Sequence, residues 1–463
     1  MSKTKRTGQT TVAARPLFSL TGNPFVDNGL AALCVMAGKQ RPEELDIEDV
    51  RTQAQYIVNV YSQPAVKKII HGMFFPNSEL VNPVVKDGMT KYQTLMTDLI
   101  ERLSAPQSRG SCVACGLRDG DPVGKTRVPL LGSKKLVNFF PSGVEGERFC
   151  PNCIVAVQFL LLAVEKAGWP LMLHTSNWTI QYAYVKGAVN RFKRQAASKE
   201  YGLADRGYKQ SAGLNAVYET IREILDDPDV QAMSDSAELV APLRFYHFTN
   251  YGQGPDVRFY DIPSSVVDFL LQIRTRMDTW LRIVRRGYSS KKKGDPEELE
   301  YTTENDVYRQ ITDGKSIVKY FFEQEDYKVI GDWQLVSVYL ARLRMMDDKR
   351  INTVRDVADR ILAFSKKTGS ARRIQQMHWA RTYREFRSVL LKLQEEMVRK
   401  SGEPLVSYDE YVLDLAPEGG QEWQETRDLL LFRIYEMGCD WLASQPEAAE
   451  GADSEQQTME VTE

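Results

Sequence analysis

The chain has 463 residues, with 60 Lys and Arg against 62 Asp and Glu, a formal charge of −2 and 43% hydrophobic residues. That length exceeds one ordinary domain, and near-neutral charge excludes wholesale electrostatic wrapping of nucleic acid while leaving room for local basic faces. The basic, polar start MSKTKRTGQT is not a secretory signal, and the longest apolar run, IVAVQFLLLAV (154–164), is broken by Gln158 and too short to span a bilayer, so a cytoplasmic protein is expected.

In chain order, a basic flexible stretch (1–20) precedes TGNPFVDNG, a shaped loop feeding a helix, with Asp27 or Asn28 as its cap. RTQAQYIVNVYSQPAVKKIIHGMF predicts two helices meeting near Pro64, and KYQTLMTDLIERL another amphipathic one. Residues 106–153 are rich in Gly and Pro, with VPLL and LVNFF as short strands; CIVAVQFLLLAVEKAG then reads as a buried helix. Residues 171–190 contain β-prone stretches, 202–213 a loop, 216–225 a helix, and LRFYHFTNYGQGPDVRFYDIP two strand-like runs around a glycine turn. Residues 264–286 predict one long helix, followed by the solvated segment GYSSKKKGDPEELE. Beyond it the chain reads as helical to about residue 442, with ARRIQQMHWARTYREFRSVLLKLQEEMVRK as a bundle spine, and the acidic end is expected to be disordered.

The predicted fold class is mixed α+β, predominantly helical. An N-terminal α+β domain (21–262) carries an inserted zinc ribbon at about 106–153, a long helix and charged linker span 263–300, a helical bundle spans 301–445, and an acidic tail spans 446–463.

SCVACG and RFCPNC place Cys112, Cys115, Cys150 and Cys153 as two Cys-x-x-Cys pairs. Each pair can aim two thiolates at one metal, and two pairs complete a tetrahedron with no open position, which predicts one structural zinc. Iron also suits four sulfurs, but the ribbon-like surroundings favour zinc; two redox pairs are the alternative. Cys34 and Cys439 stand in apolar surroundings and read as small buried hydrophobes. GDPVGKT (120–126) is one residue short of a phosphate loop and reads instead as a basic loop with Lys125, Arg127, Lys134 and Lys135, touching phosphate or merely solvated.

Four histidines form no H-E-x-x-H pattern or close His/Asp cluster, and no G-x-S-x-G elbow occurs, so a non-catalytic role is expected. Basic clusters occur around Arg191, Lys193 and Arg194, around Arg282, Arg285, Arg286, Lys291, Lys292 and Lys293, and around Arg372, Arg373, Arg381, Arg384 and Arg387. Each is either a solvated helix face or a stripe for nucleic-acid backbone. Tyr182, Tyr184, Tyr288 and Trp379 lie within or beside them and suit either base stacking or core packing.

TGNPFVDNG, the two Cys-x-x-Cys pairs, FFPSGVEGERFCPNC and HFTNYGQGPDVRFYDIP together resemble the large subunit of type I-B CRISPR effector complexes, in the branch with two Cys-x-x-Cys motifs. The resemblance covers about residues 19–263. It implies a non-catalytic subunit near the 5′ handle of a crRNA. That subunit inspects the protospacer-adjacent motif on double-stranded target DNA and helps open the duplex, while guide pairing reads the target. It further implies that the C-terminal bundle lines the path of the displaced strand. The implied partners are the crRNA-handle subunit, the helical backbone subunits, the small subunits, and a helicase-nuclease or transposition-targeting adaptor. On this reading Gly22, Asn23, Phe25, Asp27, Asn28 and Gln253 are candidates for a loop contacting the motif or handle, with turn stabilisation as the alternative for the two asparagines. The third basic cluster is the candidate for displaced-strand or heteroduplex backbone. Met345 and Met346 precede a region suited to an internally started small subunit, although Met345 lies in a predicted helix. Competing classes are a zinc-ribbon scaffold of another nucleic-acid assembly and a metal-dependent nuclease.

Overall fold

A computed structural model describes residues 16–107, 109–131, 146–198, 202–232, 241–250, 255–288, 296–323, 328–417 and 420–445. The first helix, α1 (Pro24–Ala37), begins where Asn23 accepts from the N–H groups of Phe25 and Val26 and where Pro24 supplies the fixed φ of a first turn. Gly38 ends it at φ 70°. The expected cap at Asp27 or Asn28 is therefore corrected: Asn23 takes that role, which frees both residues for bonds elsewhere.

The chain divides into two compact units, one of residues Met1–Ile262 with Tyr301–Thr303 and one of Pro263–Glu300 with Glu304–Glu463. In the first, α1 is followed by α2 (Ile47–Tyr61), α3 (Pro64–Ile69) and α4 (Gly88–Glu101), with the break at Pro64 as the sequence predicts. Strands β1 (Asp121–Val123) and β2 (Glu147–Phe149) pair antiparallel. Helix α5 (Pro151–Gln158), strands β3 (Glu165–Ala167) and β4 (Trp169–His174), and helix α6 (Trp178–Ala197) come next. Strand β5 (Ala204–Asp205), helices α7 (Gly213–Leu225) and α8 (Pro228–Gln231), and strands β6 (Leu243–Thr249) and β7 (Asp256–Ile262) complete the unit. The larger sheet has the order β5-β3-β4-β6-β7, antiparallel except for the β3–β5 pair.

Helix α1 is the centre of this unit, buried from Phe25 to Cys34 and packed on α5, α6 and β4. A side chain at Gly29 would place its Cβ 2.0 Å from the Ala156 carbonyl oxygen of α5, so the helices approach to backbone contact there. Cys34 is fully buried, and that burial pushes its thiol up, in keeping with a packing role.

The second unit holds α9 (Ser264–Gln272), α10 (Met277–Arg285), most of α11 (Pro296–Thr302), α12 (Asp306–Thr312), α13 (Trp333–Leu343) and α14 (Asp348–Thr368). After these come α15 (Arg372–Trp379), α16 (Tyr383–Ser401) and α17 (Trp423–Ala443). Helix α14 packs along α17 and α9 packs on α13, with Val357, Ile361, Leu429 and Phe432 in the core.

Several expectations are corrected. VPLL is a turn with Leu130 at φ 62°, and LVNFF lies outside the described residues, as does the acidic tail. The buried helix ends at Gln158 and passes through a 3-10 turn into β3. Residues 171–190 are strand only to His174 and helix from Trp178 on, because Asn177 accepts from the Ile180 N–H and starts α6. The long helix over 264–286 is interrupted by a 3-10 turn at Arg274–Arg276. The expected spine breaks at Ala380–Thr382, where Thr382 and Glu385 form a reciprocal capping box. Met345 lies between α13 and α14 at φ 52°, not within a helix. No helix of the described residues is long and apolar enough to cross a membrane.

Candidate metal centre

The first cysteine pair sits on a tight knuckle. The Gly116 N–H donates to the Cys112 carbonyl at 2.8 Å, with Gly116 at φ 64°, and the Cys112 N–H donates to the Arg118 carbonyl at 2.9 Å. The second pair opens a helix: Cys150 is the N-cap of α5, Pro151 its first residue, and Cys153 lies in the first turn. The Val113 N–H donates to the Arg148 carbonyl at 2.8 Å, which fastens the knuckle to β2 two residues before Cys150.

The four sulfurs lie within 4.8 Å of one another. Cys112 to Cys153 and Cys115 to Cys150 each measure 3.8 Å. A tetrahedral ion with metal–sulfur bonds of ~2.3 Å requires sulfurs ~3.8 Å apart, so one metal fits the cluster. The thiols respond to this crowding. Hydrogen bonding among the sulfurs, with Cys112 the leading partner, holds Cys115 down and pushes Cys150 and Cys153 up. Four adjacent thiolates need a cation to coexist, and a divalent ion supplies it.

Two further residues complete the surroundings. Arg118, only 4% exposed, brings Nη1 to 3.9 Å from the Cys115 sulfur, donates from Nε to the Ser104 carbonyl at 2.8 Å, and from Nη2 to the Leu17 carbonyl at 2.6 Å. Asn152, buried between Pro151 and Cys153, donates from Nδ2 to the same two carbonyls at 3.0 and 3.2 Å. Arg118 offsets negative charge at a thiolate site, and both residues hold the cysteine segments in register. Sequence reasoning missed them; their signals are an arginine three residues after Cys115 and a polar residue inside CPNC ahead of an apolar helix.

Residues 106–164 match the family model of a CRISPR-associated protein (Cas_CXXC_CXXC). This stretch is a CRISPR-associated domain. The match holds all four cysteines and runs through α5 to Val164, and it bears out the CRISPR-associated resemblance that the paired motifs carry. No curated protein and no solved structure matches the chain.

Next to the CRISPR-associated domain, the phrase TGNPFVDNG is mostly committed to the fold. Asp27 accepts from the Thr21 and Gly22 N–H groups at 2.8 Å and lies 3.5 Å from His174 Nε2. Asn28 is fully buried; its Nδ2 donates to the Leu173 carbonyl at 2.7 Å and its Oδ1 accepts from Gln181 at 2.8 Å. That corrects its candidacy as a reader of motif or handle, since no part of its amide faces out. Phe25 is buried against Tyr246 and Phe248. Gly22 alone in the phrase is exposed, at φ 79°, and Asn23 is half-buried. Gln253 lies outside the described residues.

The basic candidates separate by partner. Arg127 forms a two-pronged pair with Glu79 at 2.5 and 2.6 Å, so it ties the ribbon loop to the turn ahead of α4. Arg191 pairs with the fully buried Glu165 and with Glu223. Arg206 joins the same group, with Nε 2.5 Å from Glu165. Arg373 is half-buried on Glu396. These three candidates hold the fold together, which corrects their assignment to nucleic-acid backbone. The Lys125 carbonyl accepts from Asn250 at 3.4 Å. Lys193, Arg194, Arg285, Arg372, Arg381, Arg384 and Arg387 are exposed. Arg282 is exposed but reaches Glu323, and Arg286 is half-buried. Lys134, Lys135, Lys291, Lys292 and Lys293 lie outside the described residues. Of the aromatics, Tyr184 is buried and Tyr182 half-buried, its hydroxyl bonded to the Lys39 carbonyl. Tyr288 is half-buried, and Trp379 is 70% exposed.

Proposed function

We propose that the chain is the non-catalytic large subunit of a crRNA-guided DNA surveillance complex of type I-B. It would act in the cytoplasm, recognise the protospacer-adjacent motif, stabilise opened target DNA and dock a downstream effector. The observation that carries this reading is the closed four-sulfur centre inside a stretch that matches a CRISPR-associated family.

The metal is zinc in a structural role, because four sulfurs in a tetrahedron leave no open position for substrate or water. Its work is to hold a ribbon with little core of its own against α5. Target sequence is read by guide pairing, and the protein contributes contacts to backbone and flanking duplex. The exposed cations Lys193, Arg194, Arg381, Arg384 and Arg387 supply the backbone contacts in this reading. Gly22 and the turn around it remain the candidate loop for the motif or handle.

The test is sequencing of small RNA that copurifies with the tagged protein expressed together with its genomic neighbours. A discrete population with a constant 5′ handle is expected. Heterogeneous RNA, in an expression where the neighbours are soluble and the guide is made, defeats this reading.

A further inference from the structure

The break between α15 and α16 produces a corner of unusual composition. Trp379, the last residue of α15, is 70% exposed, and it is the only strongly exposed tryptophan among the described residues. Its position is set from behind. His378 packs edge-on against it at 4.9 Å and brings Nδ1 to 2.7 Å from the Tyr435 hydroxyl. Ala380 is buried, and its carbonyl accepts from Arg427 at 2.5 Å. The indole is held outward by a turn that is itself anchored.

The chain then presents Arg381 and Arg384, both exposed, and among the described residues neither guanidinium meets a carboxylate. Arg387, also exposed, follows one turn later. The one acid within the run, Glu385, accepts from the Arg381 and Thr382 N–H groups at 2.6 and 3.2 Å, as the N3 partner in the capping box that Thr382 opens. The corner therefore combines an anchored, solvent-facing π surface with unpaired cations.

We propose that this corner binds single-stranded nucleic acid, with one unpaired base stacked on Trp379 and the adjoining phosphates on Arg381 and Arg384. A duplex offers the phosphates but keeps its bases stacked inside, so the indole selects an unpaired strand. The cations answer a polyanion, which an apolar protein partner would not require. The proposal rests on the reading of the chain as a subunit that handles opened DNA, and names the residue that distinguishes strand from duplex.

Fluorescence anisotropy on the full, metal-loaded chain tests it. The probes are fluorescein-labelled twenty-nucleotide oligo-dT and oligo-U and a mixed-sequence duplex of the same length. Trp379→Ala and Trp379→Leu should weaken both single strands by roughly 5- to 100-fold, with duplex affinity and salt slope unchanged, while Trp379→Phe retains most of the affinity. The double variant Arg381→Ala with Arg384→Ala should lower the single-strand salt slope by about 1.4. Loss confined to DNA or to RNA assigns the strand and supports the proposal. If the tryptophan variants bind like wild type while the arginine variant lowers the slope, the stacking proposal falls and the basic-corner reading stands. If neither changes, both fall. Equal loss on the duplex also overturns the stacking role. Trp379→Leu keeps apolar cover over His378, so a melting change in Trp379→Ala alone does not blur the result.

Discussion

Gly29 of α1 and Ala156 of α5 meet backbone to backbone: a Cβ on Gly29 would lie 2.0 Å from the Ala156 oxygen. Helix α5 carries Cys153 in its first turn, so this contact joins the central helix to the metal centre. Gly29→Ala should cost about 3 kcal/mol or more, since neither backbone can retreat. Gly22→Ala, where nothing lies within 4 Å but φ is 79°, should cost only ~1–2 kcal/mol. Asn28→Ala should also destabilise, because it removes the buried bonds of Asn28 to the Leu173 carbonyl and the Gln181 amide. Urea unfolding of the three variants measures the order, and equal midpoints for Gly29→Ala and wild type would refute the contact.

The cluster should hold one metal per chain. Cys112→Ser should lose it and open residues 106–153 to proteolysis, with any loss of assembly secondary. Elemental analysis gives the stoichiometry and identity, and limited proteolysis gives the location. Full metal content and an unchanged melt in the variant would rule out the structural role.

Paired and exposed cations should behave as two classes. Glu165 is fully buried with Arg206 and Arg191 upon it, and both arginines also reach Glu223, so Glu165→Ala should destabilise through its lost buried pairs, by roughly 1–3 kcal/mol. Charge removal at Arg127, Arg191 or Arg373 should lower the melting temperature. Removal at Lys193 or Arg194 should leave the melt alone and reduce the salt dependence of nucleic-acid binding. Salt-slope loss without melting loss at Arg191 would reverse that sorting.

His247 is fully buried, with Nε2 donating to the Ala167 carbonyl at 2.8 Å, and burial lowers its pKa to about 4. The unfolded chain takes up this proton first. Stability is therefore full above the ordinary value of ~6.5 and falls as pH drops toward 4, by on the order of 3 kcal/mol in all. Histidine Cε1 resonances followed by NMR should include one titrating near 4. Four ordinary titrations would overturn the prediction.

The four sulfur ligands were legible because Cys-x-x-Cys geometry is local: two residues of spacing suffice to aim both thiolates. The β6–β7 hairpin and the break at Pro64 were legible for similar reasons. The partners of Arg127, Arg191 and Arg373 were not. Glu79 lies 48 residues from Arg127, and a cation committed to such a distant acid reads like one facing solvent. Asn28 was misread because its partners, Leu173 and Gln181, arrive through β4 and α6. The helix breaks at Arg274–Arg276 and Ala380–Thr382 were missed because no Pro or Gly marks them.

The seat of α1 also sets a timetable. This helix is apolar on nearly all sides, yet α5, β4 and α6 are made more than a hundred residues later. At ~5–20 residues per second, it spends on the order of ten seconds with only the following turn and α2 to cover it. Those seconds are when newly made chains are most exposed to one another.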